Sequence, residues 1–218
     1  NLGQHALDIV HWFLDVDAPL AASSAGGRYC LADNGETPDT QDAIVEYPGF
    51  TAIWSHREGS QGRGSHGLEI YGTHGGLSIS RQGFELTPDK VVAPENTVPQ
   101  FTGAHPVGGP RPVPATDPPR YWAEPVKDVG DGREQFRLHA RNFLDCVRSR
   151  ERPVSDLESG HRVATVCHLA NLSLRLGRKL RWNAEREDVV ADAEASAMLV
   201  RPYRAPWDAE LRSLIGSG

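Results

Sequence analysis

The sequence is short of several features that would announce a function. It holds three cysteines in 218 residues, Cys30, Cys146 and Cys167. The number is odd and no C-x-x-C spacing occurs, which argues against a disulfide framework or a zinc site and leaves buried free thiols as the expectation. Its single methionine is not at the start, and the chain opens on Asn1. No basic block interrupts a formal net charge of −6, so no nucleic-acid partner is expected. No apolar run approaches a membrane span and no signal-peptide pattern is present, so no membrane is expected either. There is no G-x-x-x-x-G-K-[ST] loop, no G-x-G-x-x-G between a strand and a helix, and no nucleophile-elbow serine or cysteine. Phosphate-loop and serine-hydrolase chemistry therefore have no foothold.

What remains is an ordinary globular composition, 39% hydrophobic and 24% charged, long enough to bury a real core. Residues 1–14 have a helical period. Ala6, Leu7, Val10, Phe13 and Leu14 fall on one face, and Asn1, His5, Asp8 and Trp12 on the other. From about 20 to 87 the period becomes two. "DAIVEY", Pro48-Gly49 and "FTAIWSH" read as a hairpin, with proline presetting the second turn position and glycine accepting the positive φ of the third. "GLEIYG", "LSIS" and "FEL" continue as short strands.

Ten of the sixteen prolines lie in an arm at about 88–132, read either as a linker or as an ordered strap over a surface. Helices return in "EQFRLHARNFLDCVRSR" and in "GHRVATVCHLANLSLRL". The second of these opens on a Ser155/Glu158 capping box and stops at Gly177. "KLRW" reads as a strand and "EDVVADAEASAML" as a short helix. The predicted class is α+β: a largely antiparallel open β-sheet with helices packed on one face.

The opening helix carries the best candidate chemistry. Its Asn1/His5/Asp8/Trp12 stripe lies opposite the apolar face, and a tryptophan there calls for a cover. An imidazole with a carboxylate one turn away suits proton transfer near neutral pH. The competing reading is an incidental solvated histidine at a helix start. "WSHREGSQGRGSHGLEIYGTHGG" gathers His56, Arg57, Arg63, His66 and His74 around glycines, either as polar substrate contacts at strand ends or as a plain solvated loop. His161 and His168 are two turns apart, too far to chelate together, so packing is the default for at least one. No metal site is expected.

Taken together, "NLGQHALDIVHWFL", "DTQDAIVEYPGFTAIWSH", "GLEIYGTHGGLSI", "HARNFLDCVRSRERPVSDLESGHRVATVCHLANLSLRLGRKLRW" and "EASAMLVRPYRAPW" resemble the C-terminal domain of the Gfo/Idh/MocA family. These are NAD(P)-dependent oxidoreductases typified by glucose-fructose oxidoreductase and inositol dehydrogenase. The resemblance covers nearly the whole chain except the arm, and it implies that residues 1–218 form one substrate-binding and oligomerisation domain. The family's Rossmann domain, with its glycine-rich turn and Lys-Pro segment, would lie outside this chain.

On that resemblance the substrate is a sugar, glycoside or polyol, and the cofactor is NAD or NADP in the full-length protein, with none bound by this chain alone. His5 is the general acid/base, with Asp8 and Asn1 beside it. Trp12, Trp54, His56, Arg63 and His66 are candidate substrate contacts. The open sheet face is implied to make a homo-oligomer, and the location to be cytoplasmic unless an export signal precedes the chain. Asn1 stands where the family has aspartate. That departure keeps open a second reading, a non-catalytic carbohydrate-binding or assembly module of the same fold.

Overall fold

The computed structural model describes residues 3–60, 67–91, 120–130 and 132–215. The elements run in chain order as α1 (Gly3–Leu14), β1 (Ala21–Gly27), β2 (Thr40–Tyr47), β3 (Phe50–Arg57), β4 (Leu68–Gly72), β5 (Gly75–Ser80), β6 (Gly83–Pro88), β7 (Val126–Val129), α2 (Glu134–Ser149), α3 (Leu157–Leu176), β8 (Leu180–Asn183), β9 (Asp188–Val189), α4 (Ala193–Ala197) and α5 (Trp207–Ile215). Helices and antiparallel strands together make an α+β fold, as the sequence patterning predicts. The strands divide into two sheets, ordered β3-β2-β1-β8-β9 and β4-β5-β6-β7. The first sheet belongs to a unit made of residues 1–63 and 154–218, the second to a unit made of 64–153.

In the first unit the β2–β3 hairpin turns at Pro48-Gly49, with Gly49 at φ +86° and Tyr47 paired to Phe50. Alternation does the rest. Gln41, Ala43, Val45 and Tyr47 are buried on the inner face of β2, while Ile44 points outward beside Ile53 of β3. Helix α3 lies on the inner face and is buried along Val163, Val166, Leu169, Ala170, Leu172 and Ser173. These residues close two clusters. One holds Leu7, Val45, Tyr47, Val163 and Val166, and the other Ala22, Leu169, Leu172, Leu180, Val189 and Ala195. The helix ends at Gly177, φ +65°, as its sequence predicts. Its N-cap is Asp156, which accepts from the Ser159 amide, and not the predicted Ser155.

The loop between β1 and β2 is held by one carboxylate. Asp39 is fully buried and accepts hydrogen bonds from the amides of Tyr29, Cys30 and Leu31 at 2.8–3.1 Å. Those backbone donors, Tyr29 first, hold its carboxyl well below the usual carboxylate range. The Arg28 guanidinium adds bonds to the carbonyls of Thr37 and Leu31 and an ion pair with Asp33.

In the second unit Pro88 is the single fully buried residue among those described. Strand β7, exposed along its length, had no alternating pattern to mark it. The two flanks of the proline-rich arm pair with each other: Lys90 bridges Tyr121, Val91 donates to Arg120, and Trp122 donates to Asp89. Residues 92–119 between these flanks lie outside the described residues. The thiols are free as expected, but Cys30 is exposed and Cys146 and Cys167 are only half-buried, so none is the buried thiol foreseen.

Replacing Asp39 by alanine should speed hydrogen exchange at the Tyr29, Cys30 and Leu31 amides and lower the melting temperature. A carboxylate depressed by folding stabilises above its unfolded pKa of 3.8, so the wild-type advantage should vanish as pH falls below that value. Unchanged exchange at the three amides would show that the loop is held by something else.

Candidate functional site

Helix α1 sits on the inner face of the first unit through Gly3, Leu7, Val10 and His11, all buried. The predicted apolar face is rotated. Phe13 was assigned to it yet is 48% exposed, while His11 takes a core position with 8% exposure. The reason is a partner. The His11 Nε2 and the Tyr47 hydroxyl are 2.9 Å apart with their rings edge-on, and Tyr47 stacks on Phe50. Burial lowers the His11 pKa against the opposing pull of Asp8 and Asp17, with Arg162 adding to the lowering. Burial also holds the Tyr47 phenol well above its ordinary range. Both groups are therefore neutral, joined by a hydrogen bond that water does not compete for.

This anchor turns the other side of α1 outward. His5, Asp8 and Trp12 are all exposed on one stripe, Trp12 at 81%. Asn1, the fourth member of the predicted stripe, lies outside the described residues. No hydrogen bond or ion pair joins His5 to Asp8 among the described residues. The strand residues lie elsewhere. Trp54 and His56 are half-buried on the inner face of β3, and Trp54 is under the start of α1. A methyl on Gly3 would lie 3.6 Å from both the Trp54 ring and the Cys167 sulfur. His56 reaches Glu58 at 3.4 Å and is cross-strand from Gln41, which itself bonds Ser24. The structure therefore separates the predicted set. His5, Asp8 and Trp12 face out from α1, while Trp54 lies under its other side and His56 sits farther along the inner face of β3. Arg63 and His66 lie outside the described residues.

His161 and His168 are both exposed, and His161 pairs with Glu187 at 2.8 Å, so neither takes the packing role expected of one of them. Burial raises the Cys167 thiol pKa, which leaves it protonated and a poor nucleophile. Among the described residues no cluster of His, Cys, Asp or Glu could hold a metal ion. A cavity of about 630 Å³ between residues 200–203 and α5 contains none of the predicted site residues. The residue missed by sequence was His11, although its spacing of four from Leu7 already placed it on the buried face.

One segment of the chain matches a known family. Residues 123–209 match the family model described as the Gfo/Idh/MocA oxidoreductase family, C-terminal alpha/beta domain. That segment belongs to the Gfo/Idh/MocA oxidoreductases. A search of curated proteins finds no match. Among solved structures the chain is similar in fold to an oxidoreductase from Agrobacterium radiobacter in complex with NAD+, L-tartaric acid and magnesium, at 14% identity and a TM-score of 0.55. It is similar also to levoglucosan dehydrogenase in complex with NADH and levoglucosan, at 16% identity and 0.55. A third is aldose-aldose oxidoreductase from Caulobacter crescentus complexed with glycerol, at 14% and 0.54. The alignments cover 83%, 83% and 82% of this chain, but 48%, 49% and 45% of those proteins. The chain thus spans about half the length of each. No described helix is long and apolar enough to cross a membrane.

The anchor makes a pH-dependent prediction. A histidine whose pKa is lowered by folding favours the folded state when neutral, so its contribution is complete above its unfolded pKa of 6.5. It is lost as pH falls through that value toward the folded pKa. Urea titrations at pH 8 and pH 5 should therefore show weakening that His11→Gln flattens. Tyr47→Phe should cost about 1–3 kcal/mol at pH 8 by orphaning the buried ring nitrogen. A pH dependence identical in the His11 variant would remove the anchor from this role.

Proposed function

We propose that this chain is the substrate-binding and oligomerisation domain of an NAD(P)-dependent oxidoreductase acting on a hydroxyl of a sugar, glycoside or polyol. The observation that carries this reading is the outward stripe of His5, Asp8 and Trp12 on a helix whose opposite face is locked down by His11. The fold likeness to levoglucosan dehydrogenase and aldose-aldose oxidoreductase supports the substrate class.

Oxidising an alcohol removes a hydride from carbon and a proton from oxygen. When bound, a nicotinamide supplies the hydride acceptor. Among the described residues every strand pair is antiparallel and no strand, glycine-rich turn and helix unit occurs. What this chain supplies is the proton acceptor. His5 takes the hydroxyl proton, Asp8 steadies the positive imidazole one turn along, and Trp12 offers a ring face to the sugar's C–H surface. The rigid setting of α1 keeps that acceptor fixed in place.

In the full-length protein, His5→Ala should lower turnover about 100-fold or more while leaving nicotinamide binding intact. The assay is nicotinamide absorbance across a panel of sugars and polyols, and unchanged turnover would take His5 out of its role. The oligomerisation half of the proposal rests on the outer face of the first sheet, where the paired Ile44 and Ile53 are 45% and 71% exposed. Burying such a face against its own copy is the usual solution. Light scattering should give a homo-oligomer that Ile53→Lys dissociates, and a wild-type monomer would contradict it.

A further inference from the structure

Away from α1, the first unit has a second recess, a cavity of about 190 Å³ at the far end of α3. Gly26 and Gly27 of β1 contribute bare backbone, Glu36, Thr37 and Pro38 form one wall, and Asn171, Leu174 and Arg175 of α3 form the other. The loop is braced by buried Asp39 and by Arg28, which itself lines the cavity and donates to the carbonyls of Thr37 and Leu31. The helix wall is braced by buried Leu172 and by Ser173, whose hydroxyl donates to the Arg178 carbonyl.

The charges here are arranged unusually. The Arg28 guanidinium is paired with Asp33 and contributes no net charge. Glu36 and Arg175, both exposed, line the same cavity, and neither has an ion pair or side-chain hydrogen bond with another described residue. Asn171, half-buried beside Arg175, is likewise without a side-chain partner. Arg175 in the last turn of α3 eases the helix dipole, but that does not account for Asn171 or Glu36. Two opposite charges lining one cavity without pairing complement a ligand that carries both.

We propose that this cavity binds a small zwitterionic amino acid, its carboxylate toward Arg175 and Asn171 and its ammonium toward Glu36. A simple anion fits less well, because it leaves Glu36 unmatched. An uncharged polyol leaves both charges unmatched. The size agrees: pockets for drug-sized ligands run from roughly 300 Å³ upward, and this one is below that. The site is distinct from the α1 stripe, since Arg175 lies eight residues beyond Cys167, about 12 Å along the helix axis. It stands whether or not His5 is catalytic.

Calorimetric titration of the protein with alanine, lactate, alaninamide and glycerol tests the proposal. Lactate lacks the ammonium, alaninamide lacks the carboxylate, and glycerol lacks both. Alanine should bind saturably in the millimolar range, and lactate and alaninamide should each be weaker by about tenfold or more, near 1.4 kcal/mol. Arg175→Met and Glu36→Gln should each weaken alanine by a similar factor. Glu36 is an exposed loop residue, so its variant keeps the test open if the helix variant fails to fold. Glycerol binding as well as alanine, alanine binding untouched by Glu36→Gln, or no saturation with alanine would each overturn it.

Discussion

Everything placed in the first unit depends on the burial of one helix face. Val166 and Leu169 of α3 are fully inaccessible, and they belong to different clusters, so the same helix closes both halves of the core. Burying side chains of this size contributes about 1.5–3 kcal/mol each, and here the contribution also sets geometry. Helix α1 has no sheet partner and rests on α3 and on Trp54 and Tyr47. If α3 loosens, the helix that carries His5 loses its seat.

The His11–Tyr47 pair solves a problem that apolar packing alone leaves open. A helix laid on a surface through leucine and valine can roll by part of a turn at little cost, because dispersion contacts are not directional. A hydrogen bond between two buried neutral groups is directional, and breaking it strands polar atoms away from water. It therefore selects one rotational setting of α1. That setting exposes Trp12 and Phe13, an arrangement that a helix optimised only for burial would avoid. The stripe is kept outward against the preference of its own aromatics.

Much of this was legible in the residues. Alternation around Pro48-Gly49 gave the β2–β3 hairpin, and Gly177 marked the end of α3, because positive φ is where glycine differs from other residues. The exposed positions of His5, Asp8 and Trp12 followed from helical period. Hydrophobicity is an incomplete proxy for burial in this chain. His11 is polar by type yet buried by virtue of a partner 36 residues away, and Phe13 is apolar yet half outside. Asp39 looked like one acid among many, since three backbone amides converging on it is a tertiary fact. Strand β7 and helix α5 bury nothing fully among the described residues, so no periodic burial marked them.

The pairing of Asp89–Val91 with Arg120–Trp122 bears on the history of the sequence between them. Residues 89–91 are held beside residues 120–122 by backbone hydrogen bonds, which any side chain at those positions could leave in place. Loop-closure entropy grows only logarithmically, and doubling the length of a loop adds about 0.6 kcal/mol. Among relatives, the length of chain between these two paired flanks should drift more freely than the flanks themselves.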